Sequence, residues 1–526
     1  MTVTDLPVLV VGGGLTGLAA GALLSRHGLP VRVVDRRPQL SRHPRARGLH
    51  PGAMEVMRVL GLEETIRSTP SAVALAHNDT VITTTSLAGR ELASLRAPYF
   101  MGGRRELGGL SPTGWCQCHQ AEVEPILRGR ARELGARVDH GIEMTDFHQD
   151  GERVVVTLKS VDDGAEETLS VGHLIAADGA RSGVRERLGI PFDGTGPFGR
   201  FANIHFRADL TAPLGDRRFI MAYVFNERVR GGLMPLDNAE NWLLHLIVDP
   251  DDGEELPSAE QCRAFVRAAA GIPDLAVEIL GVAPWEASAR IAGRFREGRV
   301  LLAGDAAHVM PPTGSFGANT GILEMHNLAW KLAAVHAGQA SEALLDTYEA
   351  ERRPAAAATV EQAVLRNRDR RRLADAPESA PDQRIVPDPV VWFGACYGPG
   401  EGSWAARPDG RPGTRAPHVP WPAPDPETRS APGPRSAGGS VLDLFGLRFV
   451  LLTGTGPAAT GWHAAAGRLP VDVHRLPDAA ACAAYGIATD GAVLVRPDGY
   501  VAWRSRTAVP DPVTAVEQAL AAVLRP

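Results

Sequence analysis

The chain has 526 residues, of which 44% are hydrophobic and 22% are charged, and its formal net charge is −6 at pH 7. This composition is ordinary for a globular protein, and the length predicts about two to four domains. The interspersed, slightly acidic charge argues against nucleic acid as the main partner. Among 55 basic residues, only Lys159 and Lys331 are lysines, so a lone arginine carries little information.

The cysteines and the apolar runs indicate a reducing, non-membrane location. The five cysteines fit neither a disulfide framework nor a metal-binding spacing. The apolar N-terminal segment lacks the positive charge of a signal peptide, and no run reaches the roughly 18 residues of a membrane span. The sequence therefore predicts a cytoplasmic protein with free thiols, no metal site and no membrane partner.

The first motif in the chain is typical of dinucleotide binding. Val8–Val11 predicts a buried strand, the glycine turn 12–17 follows, then an apolar helix from Leu18 and a second strand ending in Asp35. In such a unit Gly12 allows the tight turn, Gly14 lets a pyrophosphate approach, and Gly17 lets helix and strand pack. Asp35 would accept the ribose hydroxyls, but this motif alone does not distinguish FAD from NAD.

The segment after Asp35 adds positive charge. Arg45 and Arg47 follow it by 10 and 12 residues, where two guanidinium groups could neutralise a pyrophosphate. Solvated surface arginines are the alternative interpretation in so arginine-rich a chain.

Two later motifs also follow predicted strands. Asp178-Gly179 comes after the strand Leu174–Ala177, and Ser182 is placed to cap the next helix. Gly304-Asp305 comes after Val300–Ala303, and the rigid turn Pro311-Pro312 leads into a glycine-rich helix start at Gly317. Asp305 could bind a polyol hydroxyl, and the helix start suits a ring that becomes anionic on reduction.

Together these motifs resemble the FAD-dependent aromatic hydroxylases related to p-hydroxybenzoate hydroxylase. Gln120 and the helix after it, the Asp178–Arg185 motif, the Gly304–Pro312 motif and Leu345–Pro354 match that family over nearly the whole chain. The subgroup that hydroxylates aromatic polyketides such as aklavinone is more similar still. Asp35 stands where the family more often has glutamate, and Glu324-Met325-His326 also departs from its pattern.

The resemblance implies an α/β fold: a Rossmann-like FAD domain, an antiparallel substrate sheet and a C-terminal thioredoxin-like domain. It implies an FAD-dependent monooxygenase that uses NADPH or NADH and O2 to hydroxylate a phenol or quinone through a flavin C4a-hydroperoxide. The residues assigned to cofactor binding are Gly12, Gly14, Leu15, Thr16, Gly17, Asp35, Arg36, Arg45, Arg47, Gln120, Asp178, Asp305, Pro312, Gly317, Ala318 and Asn319.

The substrate pocket is assigned to the segment with alternating hydrophobicity between residues 195 and 284. The candidates are Phe219, Met221, Tyr223, Phe225, Met234 and Pro235, although alternation places only half of such residues on the pocket face. Pro312, Arg366 and Arg370 are the candidate catalytic residues, the two arginines as stabilisers of a substrate phenolate. A solvated basic helix face is the alternative for the arginines, and His308 is interpreted as a structural hydrogen-bonding residue.

The predicted domains are discontinuous. The FAD domain takes residues 1–74, 101–187 and 285–373, the substrate domain 75–100 and 188–284, a linker 374–439, and the thioredoxin-like domain 440–526. The last domain has only Cys482, which excludes disulfide chemistry, so its predicted role is packing or contact between copies, in a monomer or homodimer.

Two other functions stay open at this point. A related flavin enzyme could carry out Baeyer–Villiger, ring-cleaving, epoxidising or antibiotic-inactivating oxidation with the same FAD motifs. A flavoprotein that binds a small aromatic molecule without turnover is the third possibility.

Overall fold

A computed structural model describes residues 4–41, 43–96, 107, 109–248, 256–375, 382–398, 404–405, 407–421, 439–457 and 459–526. The side chains of residues 4–5, 95–96 and 370–375 lie outside this description. The strands are β1 Thr4–Val11, β2 Val31–Asp35, β3 Thr80–Thr84, β4 Glu91–Arg96, β5 Arg137–His140, β6 Ile142–Gln149, β7 Val154–Ser160, β8 Glu166–Ala176, β9 Phe192–Arg207, β10 Phe219–Phe225, β11 Arg230–Pro235, β12 Asn241–Val248, β13 Glu278–Ala292, β14 Arg296–Glu297, β15 Val300–Leu302, β16 His308–Val309, β17 Pro420–Trp421, β18 Gly439–Ser440, β19 Phe449–Thr453, β20 Val471–Arg475, β21 Ala492–Val495 and β22 Val501–Ser505.

The α-helices are α1 Leu15–Arg26, α2 Pro51–Val59, α3 Glu63–Arg67, α4 Pro70–Ala74, α5 Gln120–Glu133, α6 Gly183–Arg187, α7 Thr211–Leu214, α8 Ala259–Ala270, α9 Gly317–His336, α10 Asp346–Asp375, α11 Asp388–Phe393, α12 Ala459–Ala466, α13 Ala479–Ala484 and α14 Pro512–Leu524. Within the described residues, short 3-10 helices cover Gly304–Ala306, Glu342–Leu345 and Val441–Leu444. In the part of the chain that the structure describes, no helix is both long and apolar enough to cross a membrane.

The first sheet carries the nucleotide-binding motif. Its strand order is β14-β15-β8-β1-β2-β5, with β7 and β6 continuing from β8, and the pairs β15–β8, β8–β1, β1–β2 and β2–β5 are parallel. The central strands are apolar and fully buried because helices α1 and α9 cover the sheet. Asp35, Asp178 and Asp305 therefore follow strands that end at one edge, where α/β sheets bind ligands.

The second sheet has the order β16-β13-β9-β12-β11-β10-β3-β4, and only β10–β3 is parallel among its described pairs. Its two faces differ because side chains alternate along each strand. One face packs against helix α8 around the buried Phe206 and Trp242. The opposite face carries half-exposed rings, among them Tyr223, Phe225 and Trp285.

The C-terminal sheet has the order β20-β19-β21-β22, with β19 and β20 parallel and the other pairs antiparallel. This is the topology of the predicted thioredoxin-like domain, which is confirmed. The sheet packs on helix α9 through Phe449, whose ring centroid lies 5.6 Å from that of Trp330. Beside this contact, Glu351 accepts hydrogen bonds from the fully buried Lys331 at 2.6 Å and from Arg496.

Two predicted segments differ from the structure. Strand β13 extends the second sheet to Ala292, past the expected boundary at residue 284. The expected linker contains helix α11, whose Trp392 and Phe393 are buried. The apolar residues after Pro389 provide enough buried surface to order a short helix inside this expected linker.

Candidate functional site

The turn between β1 and α1 and the first turn of α1 together contain three glycines with different roles. A Cβ on Gly12 would lie 2.1 Å from the carbonyl oxygen of Ala177, and the φ angle of Gly12 is +109°. A Cβ on Gly17 would lie 1.8 Å from the carbonyl oxygen of Gly12. For a Cβ on Gly14, the nearest atom would be a side-chain oxygen of Glu124 at 3.7 Å. Gly12 and Gly17 therefore allow strand and helix to pack, whereas Gly14 leaves open space at the start of α1.

Helix α1 begins at this open space and offers an anion-binding N-terminus. Gly14 provides no side-chain cap, and the first turn contains no acidic residue. The first N–H groups of a helix lack intrahelical acceptors and carry a partial positive charge. Leu15 is buried in the core, so its contribution to a cofactor comes from the backbone. The Thr16 hydroxyl would lie only 2.6 Å from a Cβ on Gly304, which shows that the first and third motifs meet.

Asp35 is fixed at the end of β2 by two backbone groups. Its Oδ2 accepts a hydrogen bond from the Gly13 N–H at 2.7 Å, and its Oδ1 accepts one from the Arg37 N–H at 2.8 Å. A carboxylate has about four lone-pair sites, so sites remain for ribose hydroxyls. The side chain of Arg36 is exposed beside it.

The structure separates Arg45 from Arg47. The charge of Arg45 is exposed to the cleft and interacts with the carboxylates of Glu124, Asp305 and Asp35. Arg47 instead extends to the second sheet, where its Nη1 donates to the carbonyl oxygen of Ile220 at 3.4 Å. Burial lowers the pKa of Arg47 to about 10, and Tyr223 acts in the opposite direction. Arg45 therefore lies on the cofactor side, and Arg47 lies at the boundary with the second sheet.

Gln120 positions the loop that carries these arginines. Its Oε1 accepts a hydrogen bond from the Ala46 N–H at 3.2 Å, and its N–H donates to the Ala46 carbonyl at 2.9 Å. Its Nε2 donates to Glu124 at 2.7 Å, and burial raises the pKa of Glu124. The sequence reasoning included Glu124 in the matching helix motif but gave it no role, although its spacing of four residues from Gln120 places both on one face of α5.

Asp178 and Asp305 provide the carboxylates of the other two motifs. Asp178 Oδ2 accepts from the Val184 N–H at 3.3 Å, whereas Oδ1 is buried without a hydrogen-bond partner among the described residues. Burial raises the pKa of Asp178. Asp305 is exposed to the cleft, and the surrounding protein raises the pKa of its carboxyl as well. Both groups can therefore accept a hydroxyl from a ligand that fills the cleft.

The N-terminus of α9 forms a further wall of the cleft. It begins with Gly317 and Ala318, after a turn in which Pro312 is exposed and its carbonyl accepts the Ser315 N–H at 2.9 Å. The buried Asn319 Nδ2 donates to the carbonyl oxygens of Ser315 and Gly48, and its Oδ1 accepts the His50 N–H at 3.0 Å. These bonds use the Asn319 side chain, so its backbone N–H is the group left for a cofactor.

Glu324 is a structural residue that sequence reasoning treated only as a departure from the family pattern. It is fully buried, and its Oε2 accepts the Gly304 N–H at 2.9 Å. Its Oε1 lies 2.7 Å from Nε2 of the equally buried His308. His308 is thus a hydrogen-bonding residue behind the Gly304 turn, as expected.

The open face of the second sheet carries most of the pocket candidates. Met221, Tyr223 and Phe225 are half-buried on one side of β10, and the rings of Tyr223 and Phe225 stack with centroids 6.4 Å apart. Met221 packs against Met234 on the neighbouring strand β11. Alternation alone does not distinguish the rings of this face from core residues. The sequence reasoning therefore missed four further rings on it, namely Phe201, His205, His245 and Trp285.

Two pocket candidates lie elsewhere. Phe219 packs in the core against Trp242, with ring centroids 6.4 Å apart, because a register shift between Phe219 and Met221 turns it to the core face. Pro235 pairs with Trp242 and, by alternation, faces the same side as the core residue Leu233. These two assignments are corrected.

The assignment of Arg366 is corrected as well. Its guanidinium is buried and donates to Gln362 at 2.7 Å, to the Val386 carbonyl at 2.7 Å and to Asp388 at 2.8 Å. It also lies 5.2 Å from the ring centroid of Phe316. These contacts tie α10 to the segment before α11, so the residue is neither a solvated surface group nor a pocket cation. The side chain of Arg370 lies outside the described residues.

The observed cleft fits FAD. It provides open space at Gly14, two helix N-termini, and the carboxylates Asp35, Asp178 and Asp305, one of which has an unpaired buried oxygen. A family model described as "FAD binding domain" matches residues 5–363, and one described as "Aromatic-ring hydroxylase, C-terminal" matches residues 409–526. The chain belongs to the FAD-binding aromatic-ring hydroxylases.

Individual relatives agree with this family. The chain is 40% identical over 557 residues to a 4-methyl-5-nitrocatechol 5-monooxygenase of Burkholderia sp, which covers 99% of this chain and 98% of the relative. It is 38% identical over 568 residues to the tetracenomycin A2 monooxygenase-dioxygenase of Streptomyces glaucescens, covering 100% and 98%. A crystal structure of aklavinone-11 hydroxylase with FAD and aklavinone superimposes with a TM-score of 0.88 and 34% identity over 100% of both chains.

This FAD-dependent monooxygenase therefore uses NAD(P)H and O2 as co-substrates for an aromatic small molecule. The described residues contain no cluster of His, Cys, Asp or Glu arranged to hold a metal ion.

Proposed function

We propose that this enzyme hydroxylates a fused-ring phenol or quinone of the aromatic polyketide class. The observation that carries the proposal is the open face of the second sheet, where Met221, Tyr223, Phe225 and Trp285 offer planar and apolar contact area. Planar rings bind such surfaces through offset stacking and apolar burial. The relatives named for tetracenomycin and aklavinone support the same substrate class.

FAD, when bound, supplies the reaction with NAD(P)H and the activation of O2. The protein supplies position and charge. The α1 N-terminus, Arg45, Asp35, Asp178 and Asp305 would hold the phosphates and hydroxyls, and the N-terminus of α9 would stabilise negative charge on the ring system. Arg47, at the boundary between cleft and sheet, would stabilise an ionised substrate oxygen. Arg370 stays a second candidate for that role.

The assigned cofactor residues and the division into domains are part of this proposal. The three separated pieces of the FAD domain would enclose the cofactor, with the second sheet over it and the C-terminal domain outside the site. The five free cysteines, four of them buried, fit a reducing compartment, so we place the enzyme in the cytoplasm, as a monomer or homodimer.

The test is turnover by the purified holoenzyme with a panel of fused-ring phenols and quinones. We expect ligand-stimulated oxidation of NAD(P)H and a product that gains one oxygen atom with an unchanged skeleton. The matched control is a panel of saturated analogues, which should stimulate no oxidation. NAD(P)H and oxygen consumption that no aromatic compound stimulates would refute the proposal, and a cleaved skeleton would instead assign a ring-opening oxidation.

A further inference from the structure

A second cavity lies between the FAD-binding part and the C-terminal domain. Helices α2 and α9 form one side, α10 and α11 contribute at the end, and the loop after β21 closes the other side. Its volume of about 160 Å³ has room for about ten water molecules or one small organic molecule. None of the cofactor or pocket residues assigned above lines it.

The lining combines aromatic rings with an excess of cations. Apolar and aromatic side chains include Trp392, Phe393, Tyr397 and Tyr500, and the last two rings stack with centroids 4.0 Å apart. Five arginines line the cavity against three carboxylates, namely Arg26, Arg58, Arg130, Arg352 and Arg415 against Glu55, Asp443 and Asp498.

Each of these carboxylates is already paired. Glu55 binds Arg415, Asp443 binds Arg58 at 2.8 Å, and Asp498 binds Arg496. These carboxylates therefore neutralise little of the positive charge of the other lining arginines, Arg26, Arg130 and Arg352.

Arg352 is a buried cavity cation that lacks a direct ion pair with the residues that the structure describes, although the Glu324 carboxylate attracts it at longer range. It is 3% exposed, and among the described residues it forms no ion pair within 4.0 Å. Its Nη1 donates to the Tyr397 hydroxyl at 3.0 Å, but burial raises the pKa of Tyr397, so that phenol stays neutral. A buried guanidinium that makes no direct contact with an anion is costly.

Other buried polar atoms of the lining also lack partners. Arg352 Nε, Asn327 Oδ1 and Trp392 Nε1 form no hydrogen bond with the described residues, and all three residues are more than nine-tenths buried. Arg26 Nε is a further unpaired donor in the same lining. Unsatisfied buried groups that share one cavity can be paired only by what fills that cavity.

We infer that this cavity is a second ligand site, separate from the flavin cleft, that binds a small aromatic carboxylate. The carboxylate would pair with Arg352, because a guanidinium matches a carboxylate through two parallel hydrogen bonds. The ring would pack among Trp392, Tyr397 and Tyr500.

The test is calorimetric titration of the FAD-loaded enzyme with benzoate, followed in parallel by the flavin absorbance. We expect about one benzoate per chain with an unchanged flavin spectrum, and binding of neutral benzamide at least about tenfold weaker. Inorganic phosphate should bind at least about tenfold more weakly than benzoate, because it offers no ring.

Two variants locate the site. Arg352→Met should weaken benzoate binding at least about tenfold. Val59→Phe, which fills the cavity from α2, should weaken it as much, and it provides the test if Arg352→Met does not fold. Tyr223→Ala on the substrate sheet is the matched control and should leave benzoate binding unchanged. The inference is overturned by absence of binding up to about 10 mM, by phosphate binding as tight as benzoate, or by benzoate binding that only Tyr223→Ala weakens.

Discussion

The turn between β1 and α1 and the open face of the second sheet, which form the two parts of the proposed active site, are subject to different kinds of constraint. In the turn and at the start of α1, backbone atoms exclude a Cβ at Gly12 and Gly17, so few sequences can form this unit. On the open sheet face, Met221, Tyr223 and Phe225 are half-buried, and other apolar residues could occupy the same positions. Backbone packing thus makes the cofactor site recognisable in a sequence, while the substrate site is free to vary.

The largest expected effect tests the constraint in the turn. Gly17→Ala places a methyl group 1.8 Å from the Gly12 carbonyl oxygen, and we expect no folded, FAD-loaded protein. Gly14→Ala, whose Cβ meets only open space and a Glu124 oxygen at 3.7 Å, is the matched control. It should fold but bind FAD at least about tenfold more weakly. Circular dichroism measures folding, and flavin absorbance after desalting measures FAD retention. If the two variants folded and retained FAD to the same extent, the assigned roles would be contradicted.

The next effect separates Arg45, near the turn, from Arg47, at the boundary with the second sheet. Arg45→Met should raise the Kd for FAD about 10- to 100-fold, because a charge-assisted contact is lost. Arg47→Met should mainly raise the KM for an ionisable phenol, since this side chain faces Ile220 and Tyr223. Equilibrium dialysis of FAD and steady-state kinetics provide the two measurements. A larger loss of FAD affinity in Arg47→Met than in Arg45→Met would reverse the assignment.

A pH effect is expected where the Gly48–His50 segment joins α9. Burial lowers the pKa of His50 to about 3, and its Nδ1 accepts the Ala53 N–H at 3.1 Å as the cap of α2. Below pH 6.5 the unfolded chain binds a proton at this residue that the folded chain does not. The free energy of unfolding therefore decreases as the pH is lowered.

For His50 alone the loss is about 2 kcal/mol at pH 5 relative to pH 8. His50→Asn keeps a capping acceptor but does not titrate, so its free energy of unfolding should depend less on pH over this range. Denaturant unfolding at pH 8 and pH 5 measures the difference, and identical pH dependence of the two proteins would contradict the prediction.

The smallest effect concerns the two faces of strand β10. Tyr223→Leu should raise the KM for the aromatic substrate by up to about tenfold at unchanged FAD content. Phe219→Leu should instead lower the free energy of unfolding by about 1–2 kcal/mol and leave KM unchanged, because its ring packs in the core. Steady-state kinetics and thermal unfolding distinguish the two, and a KM effect from Phe219→Leu would return that residue to the pocket.

These regions also differ in how well sequence reasoning described them. The strands of the first motif were predicted closely: β1 ends at Val11 and β2 at Asp35, as expected, and the C-terminal sheet has the expected topology. Glycine spacing predicts such elements because it reflects local backbone geometry. The register shift next to Phe219 and the buried pairing of Arg366 with Asp388 depend on distant strands and helices, which a single sequence does not reveal.

The two lysines of the chain differ in their accessibility to labelling reagents. Of the two lysines, Lys331 is fully buried and bound to Glu351, whereas Lys159 is exposed near the end of β7. An amine-reactive dye or a surface coupling reagent therefore meets one accessible lysine side chain, on a strand of the first sheet. That position offers a defined point for immobilisation, and a gain of reactivity at Lys331 would report separation of the C-terminal domain from the rest of the enzyme.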